Sequence, residues 1–365
     1  MKNIAVFFGG QSVEHEISIL TGVMAVNSLD TSLYNPIPVY VAKDGKFYTG
    51  EKLFDVDEFK KLNFKELKQV ALLFGDKTLY WLKKNRLKKI ADISCAINCM
   101  HGERGEDGSL AGLLNMCAIP LASPPITPSA TCIDKEFTKT VMKGLKVKTL
   151  PGVAVCDLDE VDGVLGKLKF PLIVKPNNLG SSIGVERAND KEQLKKAVLN
   201  ALKFGNLALI EPCLENFIEI NCACYRDKDG AVKVSECERP IGSHEVLTFT
   251  DKYECGKRVF PADIEQKFSN KIKETTRKIY NALKFSGVIR IDYFISDGEV
   301  YLNEINTVPG SLAYYLFSDT LKGFKSMLTE LITFSEREFA KGQTVQKTFK
   351  SGILMGIGSK GSKHL

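Results

Sequence analysis

The sequence predicts an α/β and α+β chain, with a parallel N-terminal sheet followed by segments in which strands and helices alternate. Three observations predict it. Ile4-Ala5-Val6-Phe7-Phe8 is an unbroken apolar run ending in Gly9-Gly10, and Glu16–Leu29 then carries apolar residues at helical spacing. A strand apolar on both faces, then a tight turn and a helix, is how a parallel sheet begins. Phe170–Lys175 and Ile183–Arg187 are short strands around a Gly/Ser loop, and residues 287–306 form two apolar strands around Asp297-Gly298.

Taken in order, Asn3–Phe8 is the first strand, Glu16–Leu29 a helix and Ile37–Val41 a second strand. Residues 43–90 are more polar, with a hairpin or meander around Ala71–Leu82. Ile93–Asn98 is a strand, and Gly105–Met116 opens a helix. Pro120–Pro128 is rich in Pro, Ser and Thr and marks the first boundary. Asp134–Lys143 and Asp159–Leu168 are helices on either side of the strand-like Leu150–Val155. Asp190 caps a helix to Ala201, and Leu207–Glu211 is a strand. Phe217–Tyr225 and Ala231–Cys237 alternate as strands around Asp227–Gly230. A polar loop spans roughly residues 239–257, Ile264–Phe285 is a long amphipathic helix, and Leu321–Phe339 is the last helix. The tail from Gly342 is polar and expected to be mobile.

At 365 residues the chain is long enough for two or three domains with real cores. Apolar content of 44% and charged content of 26% are ordinary for a soluble globular protein. The net charge is +6, and its densest run, Lys83–Lys89, lacks interleaved aromatics, so it reads as a solvated face and not a nucleic-acid surface. No apolar run approaches the ~20 residues that cross a bilayer. The ten cysteines sit mostly in apolar stretches with no CxxC pair, as reduced core residues of a cytoplasmic protein do.

The chemistry is densest in Arg290-Ile291-Asp292 and Glu304-Ile305-Asn306. Carboxylate and amide oxygens suit Mg²⁺, whose shell is usually completed by water and substrate phosphates. Two carboxylates among Ile, Val, Phe and Leu need a compensating cation. Side chains two apart in a strand share a face, so Arg290 joins Asp292 and Glu304 joins Asn306. A strict two-residue turn at Asp297-Gly298 would pair Asp292 with Asn303 and turn Glu304 away. The metal reading therefore predicts a bulge or odd-length loop between residues 295 and 304.

Lys175–Gly184 is a second signal. Gly180 and Gly184 free backbone N–H groups for an anion, Ser181 and Ser182 add hydroxyls, and Lys175 adds charge. Because the loop joins two strands, it is not a nucleotide-binding turn of the strand–helix type. Gly9–Glu16 follows the first strand at the ligand-binding end of the sheet. Glu14 there is either a favourable first-turn acid or a grip for an ammonium group. His101–Gly108 is a Gly-rich loop past another strand end, so His101 is either structural or functional. Asp251-Lys252-Tyr253, flanked by Gly242 and Gly256, is either an exposed loop or a closing lid.

Taken together, these motifs resemble the D-alanine–D-alanine ligase family of the ATP-grasp superfamily over roughly residues 3–340. They are Gly9-Gly10-x-Ser12-x-Glu14-x-Glu16, His101-Gly102-x-x-Gly105-Glu106-Asp107-Gly108, Asp134-Lys135, Lys175-Pro176, Gly180-Ser181-Ser182-x-Gly184, Asp251-Lys252-Tyr253, Arg290-x-Asp292 and Glu304-x-Asn306-Thr307-x-Pro309-Gly310. The resemblance implies an ATP-grasp fold of three domains, a Rossmann-like domain (1–124) and two α+β domains clasping ATP (125–210 and 211–345), then a tail (346–365). It implies ligation of two D-alanines through a D-alanyl phosphate, for peptidoglycan precursors, by a cytoplasmic homodimer with no nucleic-acid or membrane partner.

It also implies roles. Asp292, Glu304 and Asn306 hold two Mg²⁺ ions, with Mn²⁺ able to substitute. Lys135 and Lys175 bind the ATP phosphates, Ser182 and Asn303 belong to the ATP site, and Lys252 meets the γ-phosphate when the lid closes. Glu211, Leu214 and Glu219 take the base and ribose. Glu14 grips the first D-alanine with His101 nearby, Ser181 links Glu14 to Tyr253, Arg290 stabilises the oxyanion, and the Gly310 N–H orients the second D-alanine. Tyr315 stands where many family members carry Ser, so its hydroxyl or Ser311 is expected at the second carboxylate. Pro212-Cys213 replaces a common Lys–aromatic pair, and Pro212 offers no N–H to the base. A D-lactate or D-serine ligase, or another carboxylate–amine ligase, shares the site. A non-catalytic ATP-binding regulator would be expected to lose Arg290, Glu304 or Lys252, and all three are present.

Overall fold

The structure is a computed structural model that describes residues 1–241 and 258–356. Its first sheet contains β1 (Lys2–Gly9), β2 (Tyr34–Val41), β3 (Phe47–Thr49), β4 (Lys68–Leu73), β5 (Asp76–Lys83), β6 (Arg86–Asp92) and β7 (Cys95–Asn98), in the order β6-β5-β4-β3-β2-β1-β7. β1 runs parallel to β2 and β7, as the apolar run predicts. Ile4, Val6 and Phe8 enter one core and Ala5 and Phe7 another, so both faces of β1 are covered. The sheet is not parallel throughout, because β3 to β6 extend it as antiparallel strands. The β2–β3, β4–β5 and β5–β6 links are too short for crossovers. The β5–β6 turn, for example, is Lys84-Asn85, both at positive φ. Residues 83–89 lie on this exposed hairpin, the solvated face expected of the basic run.

The second sheet contains β8 (Val153–Val155), β9 (Leu172–Pro176), β10 (Glu186–Ala188) and β11 (Ala208–Pro212), in the order β10-β9-β11-β8. Helix Lys191–Ala201 covers it with Leu194, Ala197 and Val198. Asp190 caps that helix by accepting from the Gln193 N–H at 2.9 Å.

The third sheet contains β12 (Ile218–Arg226), β13 (Val232–Val234), β16 (Ile289–Ser296) and β17 (Glu299–Asn306), and a separate pair joins β14 (Arg239–Pro240) to β15 (Arg258–Val259). Ile289, Ile291, Tyr293 and Ile295 alternate onto the core face against helix Gln266–Ala282, whose Ile272, Thr276, Ile279 and Tyr280 form a stripe at helical spacing. That alternation leaves Arg290 and Asp292 facing the other way. Helix Leu321–Gln343 runs four residues beyond the sequence estimate. Phe324, Leu328 and Ile332 tie the third sheet to the N-terminal one. Within Pro120–Pro128 a helix already starts at Ile126. Among the described residues nine cysteines are free, seven of them buried. No helix among the described residues is long and apolar enough to cross a membrane.

Candidate active site

β16 and β17 meet in a two-residue turn that pairs Ser296 with Glu299. The register then shifts between Asp292 and Tyr293, so Asp292 opposes Glu304, Arg290 opposes Asn306, and Asn303 is the inserted residue. The bulge lies where the metal reading requires it, and all four polar side chains share one face. Arg290 grips Asp292 bidentately, Nε to Oδ1 at 2.7 Å and a terminal nitrogen to Oδ2 at 2.9 Å. Asn306 Nδ2 donates to Asp292 Oδ2 at 3.0 Å. Asp292 is only 1% exposed, and these charge-assisted donors compensate its buried charge. The hard oxygen donors of Asp292, Glu304 and Asn306 fit a Mg²⁺-type ion.

Two lysines face this hairpin from other elements. Lys135, the first residue of helix Lys135–Gly144, lies 3.7 Å from Glu304 Oε2 and donates to the Leu179 carbonyl at 2.6 Å. Burial pulls its ammonium pKa down, and Glu304 opposes that shift. Lys175, at the end of β9, donates to Glu211 Oε2 at 2.6 Å and to Asn303 Oδ1 at 3.2 Å. Lys139, which the motifs do not single out, pairs with the other Glu211 oxygen. Burial pushes the Glu211 carboxyl up, but Lys175 and Lys139 outweigh it and hold it below the usual range.

Lys135, Lys175, Glu211 and Glu304 line one cleft of about 540 Å³ between the second and third sheets. Lys135, Lys175, Ser182, Glu211, Leu214, Glu219, Asn303 and Glu304 all border it. Its walls are Leu150, Ile173, Val185, Phe217 and Phe294, apolar surfaces suited to a flat base, and Arg187 adds a further cation. Larger cavities of about 720 and 1100 Å³ lie elsewhere, under Tyr40 and Tyr48 and beside Phe285 and Phe334, without this convergence of charge.

The first-strand turn approaches the same loop. Ser181 Oγ donates to Glu14, although 167 positions separate them. Ser181 and Ser182 hold left-handed backbone at φ 56° and 58°, a strained arrangement of the kind that gathers at ligand-binding loops. His101 is buried, with Nε2 3.0 Å from Thr21 Oγ1 and the Val308 backbone as a second partner. Burial lowers its pKa to about 4, so the ring is neutral near pH 7. Burial and the neighbouring Glu14 push the Glu106 carboxyl up, while the Gly102 and Val308 N–H groups donate to it at 2.8 and 3.1 Å. Tyr315 is turned inward, hydrogen-bonded to Arg290, and Arg258 lies 4.8 Å over its ring. Gly310 and Ser311 begin the turn that follows the hairpin. Lys252 and Tyr253 lie outside the described residues.

The two carboxylates, converging cations and Gly/Ser loop between two α+β layers define an ATP-grasp ligase. Comparison with known proteins agrees. Residues 3–124 match the D-ala D-ala ligase N-terminus and residues 153–333 the D-ala D-ala ligase C-terminus. A D-alanine–D-alanine ligase of Thermosipho melanesiensis is 36% identical over 347 residues, 93% of this chain and 95% of that protein. The solved D-alanine-D-alanine ligase of Coxiella burnetii superposes with a TM-score of 0.81 at 26% identity, covering 94% of this chain and 96% of its own. A D-Ala:D-Ser ligase of Enterococcus faecalis gives 0.78 at 27% identity, over 92% and 99%. The chain belongs to the D-alanine–D-alanine ligase family.

Proposed function

We propose that this chain joins two D-alanines into D-alanyl-D-alanine for peptidoglycan precursors, converting ATP to ADP and phosphate through a D-alanyl phosphate. One observation carries the reading. The bulge at Asn303 sets Glu304 opposite Asp292, on the face that Lys135 and Lys175 approach. Divalent Mg²⁺ held by Asp292, Glu304 and Asn306, with Mn²⁺ as a substitute, would neutralise charge on the phosphates. Lys135, Lys175 and Ser182 position those phosphates, and the further cation expected there, Lys252, lies outside the described residues. Phosphoryl transfer is chiefly a matter of positioning and charge neutralisation, and these cations supply both.

The remaining residues orient the two amino acids. Glu14, steadied by Ser181, holds the first ammonium, and Tyr253, the third member expected there, lies outside the described residues. Arg290 faces the developing oxyanion, and the Gly310 N–H with Ser311 and Tyr315 meets the second D-alanine. Leu214, Glu211 and Glu219 take the base and ribose. We read the domains as 1–124, 125–210 and 211–345, and the active species as a cytoplasmic homodimer.

Phosphate release from ATP tests the reading, with D-alanine compared against L-alanine, D-serine, and D-alanine plus D-lactate. D-Alanine alone should suffice, and no phosphate with it would refute the assignment. The likeness to a D-Ala:D-Ser ligase makes D-serine the informative competitor.

A further inference from the structure

The segment that leaves the hairpin, residues 307–311, is held from the N-terminal side by contacts the motifs do not explain. The Ser311 N–H donates to Thr21 Oγ1 at 3.1 Å, and that hydroxyl lies 3.0 Å from His101 Nε2. The same imidazole bonds the Val308 backbone. The Val308 N–H donates to Glu106 Oε1 at 3.1 Å, and Thr307 Oγ1 donates to the Glu106 carbonyl at 3.2 Å. Glu106 is anchored in turn by the Gly102 N–H at 2.8 Å. Gly102 has φ +72°, and a Cβ there would come within 2.6 Å of Ser12 Oγ, so the turn that supplies this donor needs glycine. Thr21, His101 and Thr307 are all less than 5% exposed, so water cannot replace these bonds.

We propose that Thr21, His101 and Glu106 are positioning residues for the ligation step, bracing the 307–311 turn so that Gly310 stays in register with the first-substrate site. The proposal rests on the ligase reading above. Ser311, Leu312 and Ala313 adopt left-handed backbone at φ 53°, 49° and 49°. Non-glycine residues keep such a conformation only when their surroundings over-determine it. The brace is that surrounding. Helix His15–Ser28 begins beside Glu14 and presents Thr21 about two turns later. One rigid element therefore fixes the grip on the first amino acid and the loop that faces the second. A displacement of about 1 Å between reacting groups can cost on the order of 100-fold in rate. Here the specific penalty is leakage. If the second amine is misplaced, water attacks the acyl phosphate carbonyl instead, releasing phosphate and returning D-alanine.

The test measures phosphate and dipeptide together in Thr21→Val, which keeps the β-branched shape and removes the hydroxyl. Losing this buried hydrogen bond should lower kcat for dipeptide about tenfold. The KM for ATP should stay unchanged, while phosphate exceeds dipeptide. Thr21→Ser, which keeps the hydroxyl, should restore both rate and coupling. If Thr21→Val does not fold, Glu106→Gln carries the same test, because its amide cannot accept from both N–H groups. A folded Thr21→Val with parental kcat and parental coupling overturns the proposal, as does Thr21→Ser impaired equally. A parent enzyme that makes no dipeptide would instead refute the ligase reading.

Discussion

Replacing Lys139 with methionine should weaken ATP binding more than D-alanine binding. Lys139 and Lys175 take one oxygen each of the buried Glu211 carboxylate, and the Lys139 side chain is only 13% exposed. At an effective dielectric of about 20, a unit charge roughly 4 Å away is worth ~4 kcal/mol. Stripping a buried ion of its partner usually costs ~3–5 kcal/mol, but Lys175 keeps Glu211 paired, so a stability loss nearer ~2 kcal/mol is expected. Under the proposed function Lys175 would then be the one counter-ion left to Glu211 among the described residues and a phosphate ligand at once. Losing ~1.4 kcal/mol of its pull on phosphate raises the KM for ATP about tenfold. The assay is ADP release against ATP concentration at saturating D-alanine, beside thermal unfolding, with Lys139→Arg as the rescue. A lowered unfolding midpoint with the KM for ATP unchanged would refute the reasoning and leave Lys139 as a packing residue.

Further predictions concern the metal face and pH. Glu304→Gln should abolish turnover with little loss of fold, read by phosphate release and circular dichroism; unfolding of the metal-free variant would mark Glu304 as structural. Chelating divalent cations should stop turnover while leaving the unfolding midpoint of the ligand-free protein in place. Because burial lowers the His101 pKa to about 4, the unfolded chain binds a proton at this site more readily than the fold does between about pH 4 and 6.5. Stability from this group is therefore full above pH 6.5 and falls on acidification through that window, by up to about 3 kcal/mol. Urea unfolding at pH 7 and pH 5 checks it, and His101→Gln should flatten the dependence.

Much of the site was legible because its residues announce themselves locally. Asp292, Glu304 and Asn306 stand among apolar neighbours at strand spacing, and the two-residue turn together with the metal reading required the bulge. The described residues assigned to ATP all reach one cleft. The N-terminal sheet was harder. The meander around Ala71–Leu82 was legible and is β4–β5, but β3 has only three residues and much of β4–β6 is exposed, so nothing local showed that these strands extend the parallel sheet. Lys139 was missed because its burial depends on β11 lying alongside, which no local pattern reveals. Its spacing four residues after Lys135 puts both on one helical face and was the available clue. Glu106 and Thr21 acquire meaning only when residues more than 200 positions away fold against them.

The inserted Asn303 has a wider consequence. An ordinary strand shows a given side only every second residue, roughly 6.6–6.8 Å apart. Here two adjacent side chains reach the cleft together, Asn303 toward Lys175 and Glu304 toward Lys135. A single kink thus lets one short ribbon address cations borne by two separate parts of the chain, a doubling of polar density that lengthening the hairpin could not have achieved.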